Sequence, residues 1–254
     1  MTVLARLQGF GVSYSRKRHA TTALANIDLD LFAGEKLAII GESGSGKSTL
    51  AMALAGLLAP EAQQQGTIEW PGYSDQPQPG RDIGFVFQDP GGSLNPVMTV
   101  GSTIAEVARV NLGLDRASAS QSAHDLIARV RLPDPERIAH SYPHQLSGGQ
   151  RQRVAIAAAI AGRPSLLIAD EATSALDTIV QAEIVALIRS LVEADGMTLV
   201  FISHDIALAA SLADRIAVFR SGRLVECGDT RTIIQQQEDA YTRQLLDAHL
   251  AVEA

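Results

Sequence analysis

One eight-residue string constrains this chain more than any other: Gly41-Glu42-Ser43-Gly44-Ser45-Gly46-Lys47-Ser48. It follows Lys36 to Ile40, an apolar run that reads as a short buried strand. It precedes a stretch of helix formers from Ser48 to Leu58 that stops at Ala59-Pro60. In a strand, glycine-rich loop, helix sequence the backbone N–H groups can turn inward around phosphate oxygens. The glycines permit the turn, and the positive end of the helix faces the anion. Lys47 supplies charge for the outer phosphates, and the Ser48 hydroxyl can ligate Mg²⁺. The string therefore predicts a nucleoside triphosphate site on an α/β fold.

The flanking pattern agrees. Ile27-Asp28-Leu29-Asp30-Leu31 alternates apolar and acidic residues, the period of a strand with one buried face, and Gly34-Glu35 turns the chain. Residues 61–82 are rich in Gln, Gly and Pro, with a short strand at Thr67 to Trp70, and Ile83 to Phe87 is a further apolar run. A loop opens at Gly91-Gly92-Ser93-Leu94-Asn95-Pro96. Helices are expected at about 101–112 and 118–131, broken by Pro133 and Pro135, and again at Val154 to Ala161. Strands at 166–169, 198–202 and 216–219 then alternate with helices at 179–194 and 205–213, which predicts a parallel sheet with crossover helices. An edge strand at Gly222 to Cys227 and one helical tail over 231–250 complete the expectation.

Composition excludes several classes. With 254 residues, 46 % of them apolar and 19 % charged, the chain can bury a core and is not disordered. A net charge of −7 argues against a nucleic-acid partner, and Arg16-Lys17-Arg18 reads as a solvated loop. The one cysteine, Cys227, allows no internal disulfide and no zinc spacing, which fits a reducing compartment. The opening Met1 to Gln8 does not read as a signal peptide. The apolar stretches Leu50 to Ala59 and Val154 to Gly162 fall short of the ~20 residues a spanning helix needs. A chain soluble by itself, yet able to dock on a membrane protein, is expected.

Two further strings carry chemistry. Leu166-Leu167-Ile168-Ala169-Asp170-Glu171 is a buried strand ending in two carboxylates, at the strand end where α/β sheets bind ligands. Asp170 would hold the Mg²⁺ shell, and Glu171 would orient or deprotonate the attacking water. Leu146-Ser147-Gly148-Gly149-Gln150 stands before a helix, with Ser147 suited to N-cap it. It is a second helix start able to meet an anion.

In this order the chain resembles the ATP-binding-cassette (ABC) ATPases, the motor subunits of ABC transporters, over nearly its whole length. Tyr14 sits where the family places an aromatic that stacks on adenine, though an edge-strand aromatic is the alternative. Gly41 to Ser48, continued by Thr49, resembles the Walker A loop, and Gln88 the Q-loop glutamine. Leu146 to Gln150 resembles the signature motif, Leu166 to Asp170 Walker B, and Glu171 the catalytic glutamate after it. Ser174-Ala175-Leu176-Asp177 looks like the D-loop and His204 like the switch histidine, which alone could be an ordinary surface histidine.

The resemblance implies a P-loop NTPase cassette with a mainly parallel sheet core, an antiparallel β edge subdomain and an inserted α-helical subdomain. Residues 1–254 would form a single ATPase domain. Within it, 1–90 and 151–230 would make the core and β subdomain, 91–150 the helical subdomain with the signature, and 231–254 a helical tail. It implies ATP and Mg²⁺ as cofactors, with Ser48, Gln88 and Asp170 around the metal. It also implies a head-to-tail dimer in which Ser147 and Gly149 meet the γ-phosphate held by the partner subunit. The partner would be a second ABC ATPase, a copy or a relative. Gln88 and the loop after it would relay opening and closing to two membrane permease subunits.

Gln88-Asp89-Pro90, Ser93-Leu94-Asn95-Pro96, Thr99-Val100-Gly101 and Tyr241-Thr242-Arg243-Gln244-Leu245-Leu246 resemble the peptide/nickel/opine importer branch. Departures are Asp239-Ala240 where that branch often has His-Pro, the lack of a longer cysteine-bearing tail, and Ala172 where Pro is more usual. The implied function is ATP-driven uptake of a peptide, nickel or metal-chelate/opine-type solute, delivered by a periplasmic or extracellular binding protein. The location implied is peripheral, on the cytoplasmic face of the bacterial inner membrane. An exporter or lipoprotein-release ATPase shares every catalytic motif and differs at Asn95-Pro96. A non-transport ABC ATPase of chromosome or repair machinery would carry a long coiled coil where Lys47 and Ser147 are only 100 residues apart.

Overall fold

The computed structural model describes residues 2–16, 19–174 and 176–250. Lys17 and Arg18 of the basic patch, Ala175 of the Ser174–Asp177 string and residues 251–254 of the expected tail lie outside the described residues. The chain divides into two units, one made of residues 1–77 and 198–254 and the other of residues 78–197.

The elements begin β1 (Val3–Arg16), β2 (His19–Phe32), β3 (Lys36–Ile40), α1 (Lys47–Leu54), β4 (Ala62–Glu69) and β5 (Ile83–Val86). They continue α2 (Pro90–Ser93), α3 (Val100–Leu112), α4 (Arg116–Arg129), α5 (Pro135–His140), α6 (Gly148–Ile160), β6 (Leu166–Asp170) and α7 (Thr178–Asp195). The last are β7 (Thr198–Ile202), α8 (Ile206–Leu212), β8 (Arg215–Arg220), β9 (Arg223–Asp229), α9 (Thr230–Gln235) and α10 (Ala240–Leu250).

In the first unit β2, β1 and β4 form an antiparallel sheet in that order. Along β2, Ile27, Leu29 and Leu31 are buried and alternate with Asp28 and Asp30 turned outward, as the period requires. Arg6 lies opposite Asp30 and grips it with two hydrogen bonds of 2.8 and 2.9 Å. In the same unit β3 lies between β7 and β8, parallel to both, and β9 runs antiparallel to β8. Ile40 and Val218 from these strands bury with Ile206 of α8, Ile233 of α9 and Leu245 of α10 in one apolar cluster.

In the second unit β5 and β6 pair in parallel. Ile104 of α3, Ile127 of α4, Ile138 of α5 and Val154 of α6 are fully buried, as expected of helices that pack together. Arg129 binds Asp195 at 2.9 and 3.0 Å, tying α4 to α7, and Arg153 binds Glu183 at 2.8 Å, tying α6 to α7.

Local chemistry redraws several expected boundaries. β1 was not evident because Gly9 and Gly11 interrupt its period and its pairing with β2 shifts register four times. α1 stops at Leu54 rather than Leu58. Gly56 takes a φ of 68°, its N–H bonds the Ala53 carbonyl at 3.1 Å, and the Leu57 N–H bonds that of Met52 at 2.8 Å. This pair of bonds is a Schellman cap, and it ends the helix there. Pro135, expected to break a helix, instead starts one, as Pro90 also does. Each occupies the first turn, behind Asp89 and Asp134, whose carboxylates accept from the N–H groups of Gly91 and Arg137. The tail is two helices, not one, because Glu226 of β9 accepts from the N–H groups of Glu238 and Asp239 at 2.9 and 3.3 Å and holds the joint non-helical. Among the described residues no helix is long and apolar enough to cross a membrane.

Candidate active site

The phosphate-loop residues lie in the first unit, between the end of β3 and the first turn of α1. Gly46 is the N-cap of α1 with a φ of 102°, and a Cβ there would come within 2.6 Å of the Ala23 carbonyl oxygen. No other residue type fits both the dihedral and the space. Lys47 is 4 % exposed, and its Nζ turns back to donate to the carbonyls of Gly41 at 2.8 Å and Glu42 at 2.9 Å. The ammonium is therefore held inside the loop. The Ser45 N–H bonds the Glu42 carbonyl, and the Ser45 carbonyl accepts from the Gly222 N–H at 2.9 Å, which braces the loop from the turn between β8 and β9. Ser43, Gly44 and Ser48 are exposed and Thr49 is half-buried. The Ser45 hydroxyl is buried with no hydrogen-bond partner among the described residues. An orphan hydroxyl and a buried ammonium in one loop at a helix start fit an anionic phosphate ligand.

Two other predicted residues belong to this unit. Tyr14 is half-buried in β1, opposite Thr21 of β2 and Ala62 of β4. His204 is exposed, just past β7 and before Asp205, which N-caps α8 by accepting from the Leu208 N–H at 2.9 Å.

The carboxylate residues lie in the second unit. Asp170 ends β6 and is buried. Glu171 follows with a φ of 45°, a left-handed conformation that a non-glycine residue adopts at a cost of about 1–3 kcal/mol. Its Oε2 accepts from Gln88 Nε2 at 3.0 Å. Ser174, read only as part of the D-loop, holds both residues. Its hydroxyl donates to the Glu171 carbonyl at 3.1 Å and lies 3.4 Å from Gln88 Nε2. Its place three residues after the glutamate, where a hydroxyl closes a turn, was the available signal. Asp177 N-caps α7, accepting from the Val180 N–H at 3.0 Å.

The signature string starts α6 in the same unit. The Ser147 Oγ accepts from the Gln150 N–H at 3.3 Å, and Gln150 Oε1 accepts from the Ser147 N–H at 3.0 Å. This reciprocal capping box leaves Ser147 exposed at the helix start. Gly149 is close-packed, since a Cβ there would lie 3.0 Å from Val180 Cγ1. Leu146 is buried, and its carbonyl accepts from Arg151 at 2.6 Å. Gly148, Arg151 and Gln152 line a cavity of about 110 Å³ with Gln88, Ala172 and Leu176.

The sequence profile of the ABC transporter family matches residues 24–174. The chain belongs to the ABC transporter family. This ABC chain is 40 % identical over 257 residues to the glutathione import ATP-binding protein GsiA of Escherichia coli O1:K1, an alignment that takes in 95 % of the chain and 41 % of that relative. It thus spans less than half the length of the glutathione import relatives it matches. It is 38 % identical over 255 residues to a putative peptide import ATP-binding protein of Brucella melitensis biotype 1, covering 94 % of the chain and 75 % of the relative. Among solved structures, the ATP-binding cassette MJ0796, dimeric in a post-hydrolysis state with ADP and Pi, superposes with a TM-score of 0.78 at 30 % identity, over 89 % of this chain and 99 % of the other. The ABC fold expected from the motifs is the fold observed.

Proposed function

We propose that the chain hydrolyses ATP as the motor subunit of an ABC importer whose solute is a peptide or peptide-like molecule. The observation that carries this reading is the Gln88–Glu171 pair at the ends of β5 and β6, a carboxylate held by an amide donor just past a strand-end aspartate. That is the part a hydrolase has and a mere nucleotide-binding protein lacks. The glutathione and peptide import relatives support the importer branch, with the resemblance at Ser93 to Pro96 pointing the same way.

In this reading Lys47 and the N–H groups of the phosphate loop bind the β- and γ-phosphates, and Tyr14 meets the adenine ring. Glu171 accepts the proton of the attacking water, and His204 steadies the γ-phosphate. Ser48, Gln88 and Asp170 are hard oxygen donors suited to Mg²⁺, which keeps most of its waters and needs only one or two protein oxygens beside the phosphates. A Mg²⁺ held there would neutralise charge on the phosphates. Gln88 spends its amide nitrogen on Glu171, so Oε1 is the end assigned to the metal. Ser147, Gly149 and the start of α6, with Asp177, form the face offered to the nucleotide of a second ATPase subunit. Two permeases at a cytoplasmic membrane face and a solute-binding protein complete the assembly.

The test is purification of the tagged chain from membranes of its own host. Co-purification of two permease subunits, with ATPase activity raised by a peptide-loaded binding protein, is expected. Stimulation by a nickel chelate and not by peptides would overturn the peptide assignment, and absence of any permease would overturn the transport reading.

A further inference from the structure

The Tyr241 string marked the importer branch in the sequence and plays no part in the chemistry above, yet its hydroxyl reaches the phosphate loop. The Glu42 N–H donates to the Tyr241 hydroxyl at 3.3 Å across 199 residues of sequence. The peptide unit that carries this N–H also carries the Gly41 carbonyl, which accepts from Lys47 Nζ at 2.8 Å. No cis peptide occurs in the chain as described, so the two groups point to opposite sides of one rigid plane. Tyr241 therefore grips one side of the plane whose other side holds the phosphate-binding ammonium. We propose that Tyr241 is a positioning residue for ATP binding, fixing the Gly41–Glu42 peptide and through it Lys47.

The hydroxyl is itself held in place. The Tyr241 ring is buried, with the Arg220 guanidinium 4.6 Å over its face. The Tyr241 N–H donates to Asp239 Oδ1 at 2.7 Å, which starts α10 at a fixed point. Glu226 of β9 in turn anchors Glu238 and Asp239 through their N–H groups. Asp239 thus performs, at a place where the importer branch often has histidine, the task of seating the tyrosine. A hydrogen bond to one end of a peptide polarises it and strengthens the bond at the other end, so the contact acts on the ammonium as well as on the backbone.

The inference rests on the ATPase reading, and a double-mutant cycle on the full chain separates the two. ATP affinity is measured by calorimetry for wild type, Tyr241→Phe, Lys47→Ala and the double variant, with thermal melting of each. Tyr241→Phe keeps the ring and its stack on Arg220, so its melting temperature is expected to stay near that of wild type. Its ATP affinity is expected to fall roughly threefold to tenfold, the size of one hydrogen bond. In the Lys47→Ala background the same change is expected to cost less than twofold, because the group it positions is gone. An equal loss in both backgrounds, or none in the first, overturns the positioning role while leaving the ATPase reading in place. A wild-type chain that does not bind ATP overturns both.

Discussion

Gln88 and Glu171 are 83 residues apart in sequence and joined by a 3.0 Å hydrogen bond from the amide to the carboxylate. The register of the sheet brings this about. Val86 of β5 pairs with Ala169 of β6 in parallel, and each functional residue lies two positions beyond its paired residue, so both fall just past the C-terminal ends of neighbouring strands. The left-handed φ of Glu171 turns its carboxylate out of the strand direction, and the Ser174 hydroxyl on the Glu171 carbonyl holds that turn.

Replacing Gln88 with Ala removes the donor that orients the carboxylate. Turnover is expected to fall by about tenfold or more, since a misplaced base loses near-attack geometry. Steady-state phosphate release against ATP concentration checks this, and an unchanged kcat would separate Gln88 from the chemistry.

The signature serine allows capping to be separated from catalysis. Asp caps a helix as well as Ser does, so Ser147→Asp is expected to melt at nearly the wild-type temperature. A carboxylate on the face offered to the partner's γ-phosphate would repel it, and ATPase activity is expected to vanish while the chain still binds ATP. Activity close to wild type in that variant would refute the role of Ser147 in trans.

What the sequence made legible was local. The phosphate loop, the short apolar strands β3 and β7 and the capped start of α6 are written in consecutive residues, where period and end chemistry can be read. β1 escaped because Gly9 and Gly11 and its register shifts erase a period of two. α5 escaped because a proline at a first turn resembles a proline that breaks a helix. Ser174 could be read as a motif member, but not as the hydroxyl that braces Glu171, because that role depends on a backbone conformation. The Tyr241–Glu42 bond joins the two ends of the chain's first unit, and nothing in either local string names the other.

The pair of buried Glu35 and half-buried Arg215 gives a pH-dependent signature in the same unit. Glu35 is 6 % exposed, accepts from Arg215 at 2.8 and 3.1 Å and from the Phe32 N–H at 2.6 Å, and burial pushes its carboxyl above the ordinary range against these bonds. Arg215→Met strands the carboxylate. The variant is expected to lose about 3 kcal/mol near pH 7. An acid raised in the folded state takes up its proton there before it does in the unfolded chain, so folding binds protons in that window and stability rises as pH falls through it. The deficit against wild type should therefore shrink by about pH 5. Urea unfolding of both proteins at the two pH values checks it, and a constant deficit would mean the stranded charge is not the cause.

The account as a whole turns on Glu171 as the base that activates water while the phosphate loop binds ATP without it. Glu171→Gln keeps the shape and an acceptor but loses the basicity. At saturating ATP its turnover is expected to fall by about a hundredfold or more, with the Kd for ATP within about threefold of wild type. A Glu171→Gln chain that bound ATP normally and hydrolysed it at the wild-type rate would contradict the account.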